Sequence, residues 1–99
     1  MLTYHLAEDA EMDLSDILSY VKEHNPCAAT KLFTRFEAVF ESLTHTPFIG
    51  SIRSEFHPQA RCLVVGKYLV FYEVLESIVY ILRILHSARD IPPTLSAKQ

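Results

Sequence analysis

The chain has 99 residues, 49% of them hydrophobic, with nine Lys and Arg against twelve Asp and Glu, for a formal net charge of −3 at pH 7. That describes one domain, residues 1–99, able to bury roughly two-thirds of its unfolded surface without staples. The charge excludes a protein built chiefly to grip nucleic-acid phosphates, and no apolar run reaches the roughly 18 residues of a membrane span.

Leu2, Tyr4 and Leu6 alternate with Thr3 and His5, the period of a short half-buried strand. From Glu8 to His24 the apolar residues Ala10, Leu14, Ile17, Leu18 and Val21 recur at three- and four-residue steps and predict a helix. Glu8, Asp9 and Glu11 suit its positive end, although Ala7 is a poor cap. Asn25 and Pro26 then read as N-cap and first residue of a second helix with the stripe Ala29, Leu32, Phe33, Phe36, Phe40 and Leu43. The two form a tight hairpin. Thr46, Pro47 and Gly50 end the second helix, and a loop with Arg53, His57 and Pro58 comes next. The last third predicts three strands, Arg61 to Val65, Tyr68 to Val74 and Ile78 to His86, joined at Gly66-Lys67 and Glu76-Ser77. Gly66 suits a two-residue type II′ turn. The fold expected is therefore α+β, a helical hairpin packed on a mainly antiparallel four-stranded sheet.

Two-residue turns fix a register in which Arg61 and Ile81 oppose Tyr72, while Leu63 and Arg83 oppose Val70. Alternation by two then puts Arg61, Tyr68, Tyr72 and Arg83 on one sheet face and Leu69, Phe71, Leu82 and Ile84 on the other. The apolar set is expected to receive the helices. The tyrosines and arginines are left on the open face, either as paired surface groups or as a patch for an anion or a partner.

Charge is uneven along the chain. Residues 1–50 hold eight acidic and three basic side chains (−5), residues 51–99 four and six (+2), so a protein partner is a better expectation than a polyanion. Cys27 and Cys62 fit no metal or redox spacing, which with the absence of a signal peptide predicts a cytoplasmic chain with reduced thiols. No nucleotide loop or nucleophile motif appears, and neither a cofactor nor a metal is expected. Of the five histidines only His86 stands beside arginines, Arg83 and Arg89, where a phosphate could be held and protonated. Asp90 is equally placed to neutralise them.

The order of elements, together with "NPCAATKL", "TPFIG", "ARCLVVGKYLVFYEV" and "ILRILHSARD", resembles the ParE toxins of the RelE/ParE toxin–antitoxin superfamily. The family's Arg, Gly, Tyr, Tyr and HxxRD positions fall on Arg61, Gly66, Tyr68, Tyr72, His86, Arg89 and Asp90. Where the family commonly has Gly-Arg, this chain has Gly50-Ser51, with Arg53 a candidate replacement for the charge. The resemblance implies a type II toxin that inhibits DNA gyrase and is neutralised by a ParD-like antitoxin. On this reading Arg53, Arg61, Tyr68, Tyr72, Arg83, Arg89 and Asp90 are the candidate contacts to target or antitoxin. The alternatives are a RelE-type ribosome-dependent ribonuclease working through Arg61, Arg83 and His86, and a non-toxic binding partner that keeps the fold. By the register His86 points to the helical side, away from Arg83.

Overall fold

The computed structural model describes residues 2–88; the candidate contacts Arg89 and Asp90 lie outside them. Its elements are β1 (Thr3–Leu6), α1 (Glu8–His24), α2 (Pro26–Leu43), β2 (Ser51–Ile52), β3 (Arg61–Val65), β4 (Tyr68–Leu75) and β5 (Ile78–His86). The strands form one sheet in the order β1-β5-β4-β3-β2. β1 runs parallel to β5 and the other pairs are antiparallel. The architecture is α+β as expected, with one strand more: β2 spans two residues, too short to show a period.

Asn25 caps α2, its Oδ1 accepting from the Ala28 N–H at 3.1 Å, and Pro26 opens the first turn. Ala7 gives α1 no side-chain cap, and Glu8, Asp9 and Glu11 fill that turn instead. The stripes converge as their spacing requires. Ala10 of α1 and Phe36, Phe40 and Leu43 of α2 are buried against Val65, Val70, Tyr72, Val79, Ile81 and Ile84, with Leu14, Ile17 and Leu32 packed at the margin.

Both turns hold two residues, with Val65 opposite Tyr68 and Leu75 opposite Ile78. Gly66 adopts φ +60°, the left-handed value a primed hairpin turn demands. Arg61 opposes Tyr72, Leu63 opposes Val70 and Ile81 opposes Tyr72, as the turn lengths dictate. Arg83, however, opposes Phe71 rather than Val70, because a β-bulge at Phe71/Tyr72 absorbs one residue of β5.

The assignment of faces is reversed. The helices cover the face bearing Val70 and Tyr72, and Tyr72 is wholly buried. Leu69 and Phe71 belong to a second, smaller cluster with Cys62 and Leu85 on the other face, roofed by Phe56, whose ring stacks on Phe71 at 4.3 Å between centroids. Ile84 lies in the main core. The expected open-face group of Arg61, Tyr68, Tyr72 and Arg83 does not exist: both faces are apolar enough to bury, and the bulge separates Arg83 from the others.

Candidate functional site

The connection from α2 to β2 is pinned by residues whose pattern in the sequence suggests a contact patch. The Gly50 N–H donates to the Tyr72 hydroxyl at 2.9 Å. Arg61 Nη1 donates to the carbonyls of Phe48 (3.0 Å) and Gly50 (2.8 Å), and its guanidinium lies over the Phe48 ring, 5.1 Å from the centroid. A Cβ on Gly50 would come within 2.7 Å of the Tyr72 oxygen and 2.9 Å of the Cys62 carbonyl, so only glycine lets the loop approach this closely. Burial pushes the Tyr72 hydroxyl above its ordinary value near 10, against the opposing pull of the Gly50 N–H and of Arg61.

Arg83 serves the opposite edge. Its Nε and Nη2 donate to the two oxygens of Asp13 on α1 at 2.7 and 3.0 Å, a fork-to-fork pair. Asp13 Oδ2 also accepts the Ile84 N–H at 2.9 Å. Sequence reasoning missed Asp13, though the signal was there: it falls three residues after Ala10 and four before Ile17, on the buried stripe. Gly50 had its own signal. The chain has two glycines, and the hairpin turn accounts for Gly66 alone.

Tyr68 packs edge-on against Phe36 of α2, and His86 packs edge-on against Tyr68. His86 thus lies toward the helical side, its Nδ1 accepting the Ala88 N–H. Burial pushes the Cys62 thiol above its ordinary value, while the neighbouring Arg53 draws it down. The ribonuclease set of Arg61, Arg83 and His86 is therefore not gathered. Arg61 and Arg83 flank β4 at the adjacent positions Tyr72 and Phe71, whose side chains take opposite faces.

The face away from the helices carries a different polar row. His5 meets Tyr80 edge-on at 5.8 Å, Tyr80 opposes Glu73, and Glu73 Oε1 lies 3.7 Å from Nδ1 of His57. His57 Nδ1 also bonds the Pro58 carbonyl at 2.8 Å. Among the described residues no three His, Cys, Asp or Glu side chains are placed to hold a metal, and no helix is long and apolar enough to cross a membrane. A pocket of about 250 Å³ opens beside β2, lined by Phe48, Ile52, Gln59, Arg61 and Val74.

Two helices on a mostly antiparallel sheet, with Arg61, Arg83 and Tyr72 engaged in holding a loop and an edge, define a small α+β domain. The model of the family described as the ParE toxin of the type II toxin–antitoxin system parDE matches residues 4–91, and the chain belongs to that family. It is 31% identical over 77 residues to Toxin RelE2 of Caulobacter vibrioides, covering 78% of this chain and 85% of that protein. A solved structure titled "Chromosomal ParDE TA system from P. aeruginosa" has the same fold, with a TM-score of 0.74 at 21% identity over 87% of this chain and 96% of the other.

Proposed function

We propose that this toxin acts in the cytoplasm by binding DNA gyrase and holding it in a non-productive state, and that a ParD-like antitoxin neutralises it. One observation carries the choice of a binding poison over an enzyme. The arginines that a phosphate-cleaving site would need are engaged, Arg61 by two backbone carbonyls and Arg83 by Asp13. A scissile phosphate would have to displace those partners on two different strands, β3 and β5, on either side of β4. A poison works instead through tighter binding to one state of its target. Contacts then fall to Arg53, to the exposed part of Arg83 and to Arg89 and Asp90, while Tyr72 and Arg61 hold the loop at Phe48 and Gly50. The match to a structure titled as a ParDE system supports an antitoxin partner.

Purified toxin added to gyrase and relaxed plasmid is expected to abolish supercoiling and to accumulate cleaved DNA after denaturation, with transcripts on purified ribosomes left intact. The opposite pair of results replaces this reading with ribosome-dependent RNA cleavage. The similarity to a protein named Toxin RelE2 favours that second reading, and the row of His5, Tyr80, Glu73 and His57 would then supply its proton-transfer groups.

A further inference from the structure

Of the Lys and Arg residues, Arg89 and Lys98 lie outside the described part of the chain. Arg61 and Arg83 are held by the fold, and Arg53 neighbours the Cys62 thiol. Of the others, Lys31, Arg35 and Lys67 come together where α2 passes the turn between β3 and β4. A Cβ at Gly66 would lie 3.2 Å from Nη1 of Arg35, so the guanidinium rests on the turn, and Lys67 is the next residue. Lys31 precedes Arg35 by one helical turn and shares its face. The Ser87 N–H donates to the Lys67 carbonyl, and His86 pairs with Tyr68, which brings the end of β5 to the same corner.

Lys31, Arg35 and Lys67 are all exposed. Ion pairs among the described residues fall elsewhere, at Glu41, Glu73 and Asp13, and no hydrogen bond within that part of the chain occupies Arg35. Glu37 and Glu41 sit on α2 at spacings that turn them to its other flank. Like charges one helical turn apart repel, and Lys67 adds to that cost. The arrangement works against stability until an anion enters it.

We infer that this corner grips backbone phosphates of duplex DNA without reading its bases. The phosphate chemistry is shared by any nucleic acid; the choice of DNA rests on the proposal that the target is gyrase, an enzyme that binds DNA. A guanidinium offers phosphate oxygens a planar fork, and lysines add point charges. A free nucleotide would need a cleft for its base, whereas the Tyr68 ring at this corner is packed between Phe36 and His86. Cations with no apolar anchor among them suit repeating phosphates, whose hold is electrostatic. An acidic peptide draws its affinity from buried side chains. The net charge of −3 keeps the grip weak in isolation. On gyrase the toxin meets DNA at high local concentration, and a weak second contact then adds to the first.

The test follows the fluorescence anisotropy of a labelled DNA duplex of arbitrary sequence, titrated with the full chain. With two or three phosphates held, affinity should fall about 10- to 40-fold between about 50 and 200 mM salt. Arg35→Gln and Lys67→Gln are each expected to weaken binding several-fold and to reduce the salt slope by about one. Lys22→Gln, in the last turn of α1, makes the same change in net charge and should bind as the wild type does. Melting temperatures of the variants should match or exceed that of the wild type. In the supercoiling assay Arg35→Gln should need several-fold more protein for half inhibition. If Lys22→Gln weakens DNA binding as much as Arg35→Gln, the attraction is diffuse and the assignment fails; it fails equally if the wild type shows no salt-dependent binding. Tighter binding of a labelled single-stranded RNA through the same residues gives the corner to RNA and overturns the assignment to DNA. Corner-dependent DNA binding by a protein that does not inhibit gyrase removes the proposed target and leaves the phosphate site standing.

Discussion

The two edges of the sheet solve the same backbone problem in opposite ways. On the β1 side, pairing with β5 stops at Ile81, and α1 seals the remainder of β5: the Ala7 N–H bonds the Ile81 carbonyl, and Asp13 accepts the Ile84 N–H while gripping Arg83. On the β2 side the last strand is two residues long, carries no charge of its own and is ringed by exposed apolar groups. The sealed edge holds the protein together. The open edge is uncovered among the described residues, and single substitutions separate the two edges by how much stability each removes.

Asp13→Ala should have the largest effect. It leaves the half-buried Arg83 without its carboxylate and the Ile84 N–H without an acceptor, and is expected to lower stability by about 2–3 kcal/mol in urea unfolding. Arg83 is 39% exposed at its side chain and Asp13 15%, so water recovers part of the loss and the value stays below that of a fully buried pair. Asp13→Asn keeps an acceptor for Ile84 and should lose about half as much. Equal losses for the two would show that charge, not the backbone cap, seals this edge.

Gly50→Ala comes next. Its Cβ meets backbone at Cys62 as well as the Tyr72 ring, so the loop must move, at about 1–3 kcal/mol. Tyr72→Phe removes the acceptor of the buried Gly50 N–H and is expected to cost about 1–2 kcal/mol. The same residue gives a pH signature. Burial raises the folded pKa of Tyr72 above 10.0 and that of Cys62 above 9.0, so the folded state favours the protonated forms. Their contribution is complete below about pH 9 and is lost as pH rises through the raised values. The alkaline fall in melting temperature should be shallower in Tyr72→Phe than in wild type, and shallower again when Cys62→Ala is added. Parallel curves would mean that neither group is protected in the fold.

The elements other than β2, the hairpin of helices and the strand pairing as far as Tyr72 were legible in the sequence, because periodicity and two-residue turns determine them locally. Which face receives the helices was not. Phe71 and Leu69 looked like the core side, but Phe56, lone and aromatic in a polar loop, covers them with a second small core. Tyr72 and Arg61 looked like surface groups because the partners that satisfy them, Gly50 and Phe48, are 11 to 22 residues away in the chain. The bulge that moves Arg83 leaves no mark in composition. The family was legible in those segments, and the structure shows Arg61 and Tyr72 holding a loop in place.

Ile52→Asp should have the smallest effect on stability and the most informative one. Ile52 is 63% exposed and belongs to a two-residue strand at the end of the sheet, so the change removes little packing and is expected to shift unfolding by less than about 0.5 kcal/mol. Solubility should rise, because a charge on an open apolar edge opposes strand-to-strand association. Light scattering of concentrated wild type and variant measures this directly. The contrast with Asp13→Ala, a far larger loss from a single substitution on the other edge, is the quantitative form of the difference between the edges. If Ile52→Asp instead unfolds the protein as readily as Asp13→Ala does, β2 belongs to the cooperative core, and the two edges do not differ.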